Sequence, residues 1–183
     1  MTAMIWLIAE GHKDIQVARQ LLQIHASHIE IRSLGRLAGI EVLVEELEEE
    51  IKTTIIQKGP YDCIAVMYDL DEHTEPRRET YNRIEEICHR YSDHVYQIRV
   101  RQKIEAWILA DQGFAEWIGE NHQNWDEEPD PKQKLRSLLD RHSKPKFQGS
   151  GVTKVLDHLN GNTRSESLKA TLSHLENAPC TRS

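Results

Sequence analysis

Two short runs of this chain are almost wholly apolar, and each is ended by acids. Met4 to Ala9 (MIWLIA) meets Glu10-Gly11, and Tyr61 to Tyr68 (YDCIAVMY) meets Asp69 and Asp71. Runs of this length read as buried strands. Between them, Ile15, Ala18, Leu21, Leu22 and His25 recur at three- and four-residue spacing, which predicts a helix over about Asp14 to Ile24. His28 to Leu34 (HIEIRSL) alternates apolar and polar positions as a half-buried strand does, and Gly35 closes it. Leu43, Val44, Leu47, Ile51 and Ile55 keep helical spacing from Ile40 to Gln57, and Gly59-Pro60 stops that helix. After the second apolar run, Pro76 followed by Ile84, Ile87 and Cys88 predicts a third helix, and Val95 to Val100 (VYQIRV) a fourth strand. Ile104 to Ala110 (IEAWILA) and Phe114 to Ile118 read as helical.

Strand and helix thus alternate as βαβαβαβ. The fold class expected is α/β: a Rossmann-like, mostly parallel four-stranded sheet with helices on both faces. Beyond Asn121 the sequence turns polar and is interrupted by Pro129, Pro131 and Pro145, leaving two short helical stretches near Lys132 to Arg141 and Ser165 to Leu175. The expected division is an α/β domain over residues 1–120 and a small helical C-terminal extension over 121–183 packed on it.

Composition narrows the function classes. A chain of 183 residues buries on the order of 70% of its unfolded surface and needs no disulfide to hold it. Cys63, Cys88 and Cys180 are odd in number, far apart and without a C-x-x-C pair. That argues against a secreted disulfide scaffold and a cysteine-rich zinc module, and a reducing cytoplasm is the simplest compartment. Met4 to Ala9 falls far short of the roughly 20 residues of a membrane span, so neither insertion nor export is expected. With 23 Lys plus Arg against 30 Asp plus Glu the net charge is -7, which disfavours coating nucleic acid by bulk charge but permits a local basic patch. Glu41, Glu45, Glu46, Glu48, Glu49 and Glu50 crowd one segment; Lys132, Lys134, Arg136, Arg141, Lys144 and Lys146 crowd another, opposed locally only by Asp140. Solvated helix surfaces are the plain reading of both.

Ligands of open α/β sheets bind beyond the carboxyl ends of the strands, which directs attention to Glu10, Asp69 and Asp71. Residues two apart in extended backbone point to the same side about 6.7 Å apart, so Asp69 and Asp71 can share one hydrated metal or two neighbouring ones. Glu10 joins them if the first and third strands lie side by side. Three carboxylates without an adjacent Lys or Arg repel one another, and a hard divalent cation with oxygen ligands, Mg²⁺ or Mn²⁺, relieves the repulsion. The plainer alternative is that Glu10 or Asp69 caps the following helix.

Glu10-Gly11-His12-Lys13-Asp14 after an N-terminal strand, with Asp69-Leu70-Asp71 after a later one, resembles the Toprim domain of topoisomerases, primases and related nucleases. There the Glu and the D-x-D hold Mg²⁺. Ile104-Glu105-Ala106-Trp107-Ile108-Leu109-Ala110-Asp111 is similar to the E-x-W-L-L-x-D signature of a Toprim-like bacterial family still labelled a domain of unknown function. Asp130-Pro131-Lys132 and Lys144 to Phe147 are similar to that family's C-terminal part, so the resemblance covers nearly the whole chain. It implies a metal-dependent nuclease in bacterial defence or DNA repair, related to the overcoming-lysogenization-defect nucleases. Glu105 then becomes a further metal ligand or an acid that orients a metal-bound water. Where Toprim domains often read D-x-D-x-x-G, this chain has Thr74 at the last place.

Six residues of helix turn a side chain by about 240° and advance it about 9 Å, so Glu105 and Asp111 cannot face one site from one regular helix. Asp111 is either a further acid of the family signature or a cap for the helix beginning at Gln112, and the sequence leaves the two open. Trp107 shares an apolar face with Ile108 and reads as core rather than as a base-stacking platform. Lys144, Lys146 and Lys132 are candidates to neutralise phosphate in the transition state. His12 and His73 flank the acids and could ligate metal or shuttle a proton, although the favoured metal prefers oxygen; the other histidines show no ligand spacing.

Three readings compete. The first is metal-dependent phosphodiester hydrolysis of nucleic acid. The second is a catalytically silent Toprim-shaped subunit docking on an ATPase. The third is a haloacid-dehalogenase-like phosphatase with Asp69 as nucleophile and Asp71 as acid, which usually wants Thr or Val where this chain has His73. A dinucleotide binder is disfavoured, because no G-x-G-x-x-G follows the first strand.

Overall fold

The structure is a computed structural model that describes residues 3–25, 29–33, 39–58, 63–70 and 77–177. Four strands, β1 (Ala3–Ala9), β2 (Ile29–Ser33), β3 (Cys63–Leu70) and β4 (Val95–Arg101), form one sheet in the order β2-β1-β3-β4. All three pairings are parallel. The crossovers are α1 (His12–His25), α2 (Ile40–Lys58) and α3 (Arg78–Arg90), and α4 (Glu105–Leu109), α5 (Gln112–Ile118), α6 (Pro131–Arg141), α7 (Ser150–Leu156) and α8 (Glu166–Glu176) follow the last strand. The chain is therefore an α/β protein with an all-parallel sheet, the arrangement expected of a Rossmann-like or Toprim-like domain.

Period-two alternation within each strand sends its side chains to two separate cores. Trp6 and Ile8 of β1 with Ile64, Val66 and Tyr68 of β3 pack on one face against Leu43, Leu47 and Ile51 of α2 and Ile84 and Ile87 of α3. Ile5, Leu7 and Ala9 with Cys63, Ala65 and Met67 pack on the other face against Val17, Ala18 and Leu21 of α1. The second core also takes Trp107 of α4, Phe114 of α5, Leu135, Leu138 and Leu139 of α6, Val152 and Val155 of α7, and Leu168 and Leu175 of α8. The C-terminal helices thus cover the sheet face that α1 leaves open, and their apolar residues are continuous with those of β1.

α7 falls in a stretch that the hydrophobic pattern leaves without an element. It is two turns long and opens on Gly149-Ser150-Gly151, which reads as a turn. Gly151 is required there by close approach: a Cβ would lie 1.9 Å from the Lys146 carbonyl oxygen. Cys88 is a free, buried thiol. Cys63 is buried at the start of β3. No helix among the described residues is long and apolar enough to cross a membrane.

Candidate active site

The register of the sheet decides which acids meet. Ala9 of β1 lies beside Met67 of β3, so Glu10 emerges level with the end of β3. β3 runs two residues further than its apolar stretch, and Asp69 and Leu70 still pair with Val100 and Arg101 of β4. Asp69 therefore stands one rung before the end of the β3–β4 ladder, and its own backbone N–H donates to Glu10 Oε1 at 3.2 Å. The first and third strands do lie side by side, as the carboxylate argument required. Asp71, His73 and Thr74 lie outside the described residues.

Two further acids join this edge. Glu105 opens α4 immediately after β4 and is only 8% exposed. Asp14 sits in the first turn of α1, and its carboxylate accepts from the Gly11 N–H. A side chain at Gly11 would bring its Cβ within 2.7 Å of Asp14 Oδ2, so glycine leaves the room in which this acid folds back. Asp14 rather than Glu10 or Asp69 thus makes the capping contact at the helix start.

Electrostatics bind the four acids into one group. Burial pushes the Asp14 carboxyl up to about 6, and Glu105 and Glu10 push it the same way. Burial, then Asp14, Glu10 and Glu105, hold Asp69 well above its ordinary value. Glu10 is raised by burial against the opposing pull of the Asp69 N–H, Arg77 and Lys103. The sequence reading left the acids without nearby cations; Arg77 and Lys103 correct that in part, since both act on Glu10 and Lys103 also acts on Asp69. Lys103 reaches the group because it follows β4, whose carboxyl end adjoins that of β3.

The donor set consists of hard carboxylate oxygens, with Asp14 and Asp69 raised by the acids around them, which is the chemistry a divalent oxygen-loving cation relieves. Among the described residues no three His, Cys, Asp or Glu side chains already close on a common point as ligands. His12 is exposed on the first turn of α1.

A cleft of about 670 Å³ opens beside this group. Glu105 and Lys13 line it from the sheet side, Lys132 and Arg136 from α6, and Lys146 and Phe147 from the loop before α7. Glu105 and Lys13 also touch the acid group electrostatically, so the cleft and the carboxylates adjoin. Lys13 was not singled out from sequence, and only the packing of α1 against α7 gives it a place here. Lys144 turns instead to the indole of Trp117, with Nζ 4.8 Å from the ring centroid.

Asp111 stands apart from the acids. It is fully buried, caps α5 by accepting from the Phe114 N–H at 3.2 Å, and also accepts from Asn160 N–H at 3.1 Å and Gly161 N–H at 2.8 Å. Its bonds are spent on structure. Trp107 is fully buried and donates its indole N–H to Ser167 Oγ at 3.1 Å, which places it in the core. No family model, curated protein or solved structure matches the chain.

Proposed function

We propose that this protein hydrolyses phosphodiester bonds of nucleic acid with the help of Mg²⁺ or Mn²⁺. The observation that carries the reading is the adjacency of two unlike features at the carboxyl end of one parallel sheet. Four acids meet there, where burial and neighbouring carboxylates raise Asp14 and Asp69, and a cleft with four cationic side chains adjoins them. Glu10, Asp14, Asp69 and Glu105 would hold the cation, with Asp71 added by its place in the D-x-D. A bound divalent ion would polarise the phosphate and lower the pKa of an attacking water.

The chain's own residues supply the rest. Lys132, Arg136 and Lys146 neutralise the phosphate backbone along the cleft, and Lys13, which belongs to both features, stands where a phosphate would pass from one to the other. Glu105, at the boundary, is placed to orient a water. Arg77 and Lys103 limit the repulsion among the acids before a cation arrives. The resemblance to Toprim nucleases agrees with these roles and adds the expectation of a bacterial defence or repair context.

Purified protein incubated with plasmid, single-stranded DNA and RNA, each in Mg²⁺, Mn²⁺ and chelator, tests the proposal. Cleavage that needs the divalent ion and is lost in Asp69→Asn is the expected result. Ion-independent cleavage, or none on any of the substrates, contradicts it and returns weight to a silent subunit of an ATPase-linked system.

A further inference from the structure

The cleft's lining specifies more than a polyanion. We propose that it takes a single-stranded segment of polynucleotide and excludes the duplex, with Phe147 as the platform on which a base stacks; this rests on the nucleic-acid reading above. Three observations carry the inference. The first is the mixture of charges: Lys13, Lys132, Arg136 and Lys146 share the lining with Glu105, Asp130, Asp140, Gln133 and Gln148. A phosphate is repelled by the carboxylates, whereas a nucleobase offers N–H groups that carboxylates and amides accept. Only a ligand with an anionic backbone on one side and exposed base edges on the other satisfies both sets.

The second observation is Phe147. It packs against the main core yet lines the cleft, so the ring is held in place while part of it stays accessible. Lys13 Nζ lies over it at 5.7 Å from the centroid, near the outer limit of about 6 Å for a cation on a ring. A base can displace so loosely held an ammonium, which is then free to pair with a phosphate. An aromatic platform beside lysines is the combination with which single strands are bound without sequence preference.

The third is size. A volume of about 670 Å³ falls in the range of roughly 300–1,000 Å³ typical of small-molecule sites. Such a space suits one or two nucleotides and not the body of a double helix. A duplex also keeps its bases stacked, so that it offers base edges only within its grooves and no free base face to a ring. It would meet Glu105 with like charge and leave Phe147 without a partner.

The test measures fluorescence anisotropy of the full chain in chelator, so that binding is read without cleavage. The probes are labelled oligothymidylate and oligouridylate about a dozen nucleotides long and a DNA duplex of equal length. Both single strands are expected to bind at least about tenfold more tightly than the duplex. A preference between the two, if seen, identifies DNA or RNA as the source of the strand. Phe147→Leu should lose about tenfold in affinity for the single strands, and Phe147→Tyr, which keeps the ring, should not. The comparison of strand with duplex needs no variant, so a poorly folded Phe147→Leu leaves the test intact. Equal or tighter duplex binding, no binding of either single strand, or a well-folded Phe147→Leu that binds as wild type overturns the proposal. Single-strand binding by a protein that cuts nothing in Mg²⁺ would uphold the cleft's specificity and end the nuclease reading, so the two failures are distinguishable.

Discussion

The carboxylate of Asp111 accepts from three backbone N–H groups, those of Phe114, Asn160 and Gly161, inside the protein. Removing it leaves buried donors unpaired, each at a cost of about 1–3 kcal/mol. Asp111→Ala is therefore expected to lose about 3 kcal/mol or more, read as a lower midpoint in urea, with divalent-ion binding in the surviving folded fraction unchanged. Asp14 is an acid of the same type in opposite surroundings. The folded chain keeps its proton up to about 6, whereas the unfolded carboxyl releases it near 3.8. Between those values the folded state binds more protons, so stability falls as pH rises through the window and stays lower above it. Glu10 and Asp69, also raised, act in the same direction. Glu48, lowered first by its bond to Lys52, and Glu120, lowered first by its bond to His142, act the other way from exposed positions. Comparing Asp14→Asn with the parent isolates the one contribution. The variant should be the more stable at neutral pH without metal, by on the order of 2 kcal/mol, and the gap should close below about pH 4. A gap that does not vary with pH would show that Asp14 is not held protonated.

At the scale of elements, the loop before α7 links packing to function. Gly151 lies against the Lys146 carbonyl, and that loop carries Lys146 and Phe147 into the cleft. Gly151→Ala forces the two apart, so it is expected to cost about 1–3 kcal/mol and to weaken oligonucleotide binding, measured by thermal melting and by anisotropy. The hydrophobic pattern made the strands and longer helices legible because both sheet faces are buried, which writes β1 and β3 as continuous apolar runs and α1 and α2 as stripes. α7 escaped it, since two turns with an internal glycine carry too little periodicity. Among site residues, Glu10 and Asp69 were readable because they end apolar strands. Asp14, Lys13 and Lys103 were not singled out, because their importance comes from which strand ends and helix starts are neighbours. The pattern of Glu10-Gly11-His12-Lys13-Asp14 held the one available signal, an acid four residues beyond another across a strand-to-helix turn.

Across the whole molecule the charges are sorted by the sheet. The glutamates of α2 ride on the helix that packs against the Trp6 and Ile8 face, while α6 and α7, which carry the basic cleft, pack on the other. Of that run, Glu41 at the start of α2 comes near enough to act on Glu10. Lys132→Ala and Lys146→Ala should each weaken oligonucleotide binding and reduce its salt dependence by about one counterion, whereas Glu45→Ala and Glu49→Ala should leave the slope unchanged. Identical slopes in all four would make the cleft a solvated surface. The central claim, that the acids at the carboxyl end of the sheet bind a divalent cation, is tested most directly by calorimetric titration of Mn²⁺ into the purified protein, with Glu10→Ala, Asp14→Ala and Asp69→Ala beside it. The expected result is saturable binding by the parent and loss of that binding in each variant that keeps the parent's circular dichroism. No saturable heat in the parent, or folded variants that bind as it does, would contradict the claim.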